Sequence, residues 1–119
     1  MAKPRVDPVE GHAAVEAVIG GSLTREDVAG AVRYLLQLMS DAAPGHTVEL
    51  RIPPFGAIQC VEGPEHTRGT PPNVVEMDSQ TWIALATGSV TWASAYDAGK
   101  ISASGVRSDL SSQLPLAQW

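Results

Sequence analysis

Between Val28 and Ile52 the hydrophobic period of this chain changes from helical to extended, and that change sets the class of fold. Val28, Val32, Leu35, Leu36 and Met39 recur at three- and four-residue spacing, so they form one apolar face of a helix. Val48, Leu50 and Ile52 then alternate with Thr47, Glu49 and Arg51, the pattern of a strand with one buried side. A helix with an apolar stripe and a strand with an apolar side can each cover the other. The expectation is a sheet packed on one face by a long helix from Thr24 to Ser40.

Punctuation along the chain places the remaining elements. Asp7 can cap a first helix, with Pro8 at its first position and Glu10 where a capping-box acid belongs. Ala14, Val15, Val18 and Ile19 give it an apolar stripe, and Gly20-Gly21 ends it. Thr24 caps the long helix, Asp27 follows three residues on, and Leu23 and Val28 have the spacing of a hydrophobic staple. Pro44-Gly45 stops that helix. After Pro53-Pro54 a second strand is expected over Phe55 to Val61, then a loop from Glu62 to Pro72. A third strand is expected at Asn73 to Met77.

Asp78 can cap a third helix, stapled by Met77 and Trp82 and closed by Gly88. A short fourth helix carries Trp92 and Tyr96 on one side and ends at Gly99. Lys100 to Ser104 reads as a strand, and Arg107 to Leu114 as a short last helix ended by Pro115. Helices and strands are partly segregated, which argues for α+β over a doubly wound sheet. The expected sheet is mixed, with about five strands.

With 44% hydrophobic and 18% charged residues over 119 positions, one packed domain, 1–119, is expected. Cys60 is the single cysteine, so no internal disulfide can form. The N-terminus lacks the apolar run of an export signal, and a reducing cytoplasm is the expected location. The net charge is -5 and the basic residues form no cluster, which argues against nucleic-acid partners. No segment approaches the ~20 apolar residues of a membrane span.

The residues give no reason to expect catalysis, a cofactor or a metal. His12, His46 and His66 lie in different elements, with no paired spacing and no nearby cysteine. The serines from Ser102 to Ser112 form no nucleophile elbow, and no phosphate loop or dinucleotide fingerprint is present. Cys60, in a strand, reads as a buried, inert thiol. The densest polar cluster is Glu65, His66 and Arg68 in the loop from Glu62 to Thr70. His66 could act as an acid or base near neutral pH, and Arg68 could hold a carboxylate or phosphate. The favoured reading is a hairpin connection whose His and Arg bond to backbone or to a partner subunit. Trp82, Trp92 and Trp119 could line an apolar cavity or belong to the core. Trp82 and Trp92 are expected to be largely buried and to face the same apolar volume, because Gly88 ends one helix just before the next begins.

The run from Val74 to Gly88, followed by Val90 to Ile101, Ser104-Gly105 and Leu110, resembles the second half of sterol carrier protein 2 domains. There a strand leads through an acidic turn into a helix ending in Leu-x-x-Gly. A second helix then ends in Gly-Lys-Leu/Ile before a strand and a glycine. The whole chain is similar to short actinobacterial sterol-carrier-family proteins, through Arg51-Ile52-Pro53-Pro54-Phe55, Gln59 to Pro64, His66 to Asn73 and Leu114-Pro115-Leu116. The resemblance implies a sterol-carrier-protein-like fold and a non-catalytic carrier of an apolar, lipid- or sterol-like molecule. The ligand-facing residues would be Trp82, Leu85, Trp92, Tyr96, Ile101 and Leu110. Better-known members continue into a C-terminal segment that helps cover a tunnel. This chain stops at Trp119, so an open groove between sheet and helices is expected. The alternative is a protein-interaction or enzyme-accessory domain that uses the Glu62–Thr70 loop, as a homodimer or with another protein.

Overall fold

The computed structural model describes residues 5–63 and 73–116. The helix α1 spans Pro8–Ile19, and α2 spans Arg25–Ala42. Both starts follow from their caps. Asp7 accepts a hydrogen bond from the Glu10 N–H, and Thr24 accepts one from the Asp27 N–H. The two helices form a hairpin. Val15 of α1 and Ala31, Val32 and Leu35 of α2 are fully buried. Leu23, expected to staple α2, is instead 76% exposed.

Four strands follow the expected runs: β1 (Val48–Ile52), β2 (Gly56–Cys60), β3 (Asn73–Met77) and β4 (Ile101–Ser104). Their spatial order is β2-β1-β3-β4. β1 runs antiparallel to β2 and parallel to β3, and β4 runs antiparallel to β3, so the sheet is mixed. The expectation of about five strands is corrected to four among the described residues. No further described segment has a two-residue alternation of its own. The stretch after β4 is irregular, and the helix expected over Arg107 to Leu114 is reduced to a 3₁₀ turn at Ser111–Gln113.

Register explains the one-sided packing. Val48, Leu50, Ile52, Cys60, Val75, Met77 and Ile101 share one face and are buried. The opposite face carries Glu49, Arg51, Gln59, Glu76, Ser102 and Ser104, which interact with water at little cost. α2 lies over the apolar face near β2, beside α3 (Ser79–Thr87). The α3 cap is Asp78, whose carboxylate accepts from the Thr81 N–H, and its end is Gly88 at φ 84°, a left-handed conformation that favours glycine. Trp82 of α3 is fully buried, and its indole N–H donates to the Val32 carbonyl of α2 at 3.3 Å.

Two bonds tie the C-terminal stretch to this frame. The Leu116 N–H donates to the Ala86 carbonyl at 2.8 Å, at the end of α3. Asn73, buried at the start of β3, donates to the Thr47 carbonyl and accepts from the Arg107 N–H. Among the described residues no helix is long and apolar enough to cross a membrane.

Candidate functional site: a groove around Trp92

The helix α4 (Trp92–Asp97) has only six residues. Thr91 caps it by accepting from the Ser94 N–H, and Ala95 is its single buried residue. Trp92 is half-buried and Tyr96 is 52% exposed, whereas burial of Trp92 was expected. Trp82 and Trp92 therefore do not share one interior volume.

Clefts open on both sides of α4, and Trp92 and Ala93 line both. One, of about 470 Å³, is also lined by Tyr96, Asp97, Ala103, Ser108 and Asp109. The other, of about 350 Å³, is lined by Leu85, Val90, Leu114 and Pro115 as well. Both volumes fall in the range that small-molecule sites occupy. Their chemistry differs. Among the described residues the larger cleft carries two carboxylates and no cation. The Ser111 N–H donates to Asp109, and that bond holds its carboxyl below the usual carboxylate range. The smaller cleft is walled mainly by aliphatic groups and proline.

Of the six residues expected to face a ligand, Trp92 and Tyr96 meet at the larger cleft, and Leu85 and Trp92 at the smaller. Trp82, Ile101 and Leu110 lie in the core. The Trp82 N–H is already used by Val32, so it offers a ligand neither surface nor a hydrogen bond. Glu65, His66 and Arg68 lie outside the described residues, as does Trp119. Cys60 is fully buried, and burial pushes its thiol up to about 11. It is thus neutral and unreactive near pH 7. Among the described residues no three His, Cys, Asp or Glu side chains are grouped to hold a metal.

A third cleft, of about 240 Å³, lies between α2 and β2 and was not anticipated. Leu36, Phe55 and Ile58 form its apolar floor, and Arg33, Gln37 and Ser40 rim it. The extended segment before α1 closes one side. Gln37 bonds both the N–H and the carbonyl of Val6, and Arg5 pairs with Asp41 at 2.7 Å. The helical spacing of Arg33, Leu36, Gln37 and Ser40 was visible in the sequence. Their meeting with Phe55 and Ile58 was not, because it depends on how the strand after Pro53-Pro54 returns beneath the helix.

A protein-family model described as bacterial SCP ortholog matches residues 24–116. No curated protein matches the chain.

Proposed function

The chain belongs to the bacterial SCP ortholog family, and from that premise we propose that it is a non-catalytic carrier of an apolar small molecule. The ligand lies in the open groove around α4. The observation that carries this reading is the position of Trp92, a half-buried indole lining clefts of about 470 and 350 Å³ on either side. An indole so placed offers a flat apolar surface to a lipid- or sterol-like molecule, at about 25 cal/mol per Å² of apolar area removed from water. The groove is open, so part of the ligand stays in water and affinity is modest.

The carboxylates of Asp97 and Asp109 refine the ligand class. An anionic head group in the larger cleft would face two negative charges with no compensating cation among the described lining residues. A neutral polar end, such as a hydroxyl, can instead donate to either carboxylate. The proposed ligand is therefore neutral and sterol-like in preference to a free fatty acid. The reading places the protein in the cytoplasm as one domain that performs no chemistry on its cargo.

Tryptophan fluorescence provides the test. Titration with a sterol, an acyl-CoA and a fatty acid should give a saturable change, strongest for the sterol, and Trp92→Phe should abolish most of that change. If no class binds below roughly millimolar concentration, the carrier reading is wrong.

A further inference from the structure

One edge of β2 lies beside the third cleft, which Gly56, Ala57 and Ile58 line. β2 pairs with β1 on one side only, so alternate residues turn their N–H and C=O groups to the other side. No strand pairs with them among the described residues. The edge also lacks the usual protections, because Gly56–Cys60 contains no charge and no proline.

Charge singles out what fits there. Arg33 donates from Nε to the Phe55 carbonyl at 3.0 Å, and Arg25 lies over the Phe55 ring at 5.5 Å. Neither pairs with a carboxylate among the described residues, although the chain carries a net charge of -5. Two guanidinium groups thus flank an apolar slot beside an unpaired strand edge. A second copy of β2 would bring the same uncharged strand and the same two arginines, so it offers them nothing.

We propose that the free edge of β2 is a docking site for an extended peptide of a partner protein, which adds as a fifth strand. Its backbone pairs with the outward-turned N–H and C=O groups of β2. One apolar side chain enters the slot over Leu36 and Ile58, and an acidic group meets Arg33 and Arg25. Main-chain bonds supply affinity in such strand addition, while the slot and the arginines supply selectivity. β2 has five residues, of which alternate ones face outward, so the ladder is short and binding falls in the micromolar range. This site is separate from the groove around Trp92, so each can fail without the other.

Panning a displayed library of random heptapeptides on the immobilised protein tests the proposal. Enriched sequences should alternate apolar and polar residues and carry an Asp or Glu. A labelled representative, followed by fluorescence anisotropy, should bind about tenfold more weakly to Arg33→Gln. Of Ala57→Pro and Ile58→Pro, one removes an edge N–H and the other a bond of the β1 ladder; the variant that keeps the wild-type denaturation midpoint should abolish binding. The denaturation midpoint of each variant shows whether it folds, and Arg33→Gln changes only an exposed side chain. Trp92→Phe should leave peptide binding unchanged. The proposal is overturned if no sequence enriches, or if the enriched peptides bind wild type and Arg33→Gln equally. It is also overturned if the slot takes decanoate, an amphiphilic anion without a backbone, in place of any peptide.

Discussion

The Tyr34 ring occupies the space where position 11 would carry a side chain, so a Cβ on Gly11 would fall among the ring carbons. This contact sets how closely α1 approaches α2. Gly11→Ala gains up to about 1 kcal/mol of helix propensity, but overpacking costs about 1–3 kcal/mol. Tyr34 is 8% exposed and has little room to yield. The expected result is a lower urea midpoint. An unchanged or higher midpoint would show that the hairpin relaxes freely.

Asn73 joins three separate parts of the chain by bonding the Thr47 carbonyl and the Arg107 N–H at 2.9 and 2.8 Å. Asn73→Ala leaves both backbone groups without their partner, and the expected loss is about 2–3 kcal/mol. Asn73→Asp keeps the acceptor, loses the donor and turns a carboxylate toward a carbonyl oxygen. Its stability should partly recover on acidification, which denaturation curves at two pH values would reveal.

Trp82 and Trp92 should separate in a stability measurement. Trp82→Ala empties a fully buried site and should cost about 3–5 kcal/mol. Trp92→Ala removes a half-buried ring from a cleft wall and should cost about half of that or less. Equal losses would contradict the difference in burial on which the groove depends.

The cap of α3 predicts a pH dependence. The Thr81 N–H bond to Asp78, opposed by burial, holds that carboxyl below its usual value. Stability from a depressed carboxyl is fully present above its unfolded pKa, about 3.9, and is lost as pH falls through the folded pKa. Asp78→Asn keeps a capping oxygen but cannot titrate, so its stability should fall less steeply in acid. Asp78→Ala should lose about 1 kcal/mol at neutral pH. An acid limb of identical slope in Asp78→Asn would refute the assignment.

Local signals were legible in the sequence wherever local chemistry decides. Asp7, Thr24 and Asp78 cap as their spacing indicates, because each bond reaches only three residues. β1 shows in its alternation, and the Pro, Gly and loop residues around β2, β3 and β4 mark those strands out. Trp92 was misjudged because hydrophobicity suggests burial, whereas the six residues of α4 bury only Ala95. The segment from Arg107 to Leu114 contains Leu110 as a buried anchor, yet outside the 3₁₀ turn its backbone is held by Asn73 and Asp109 and not by helical bonds. The slot beside β2 joins Val6, Arg33 and Ile58, whose proximity no local pattern encodes.

The indole N–H resonances give the most direct test of the Trp92 groove. In a ¹⁵N-labelled sample titrated with a water-soluble sterol, the Trp92 indole signal and the Tyr96 and Ala103 amides should shift together and saturate. The Trp82 indole signal, held by Val32 at 3.3 Å inside the core, should stay in place. Shifts that spare Trp92, or that move Trp82 as much as Trp92, would contradict an open groove around α4.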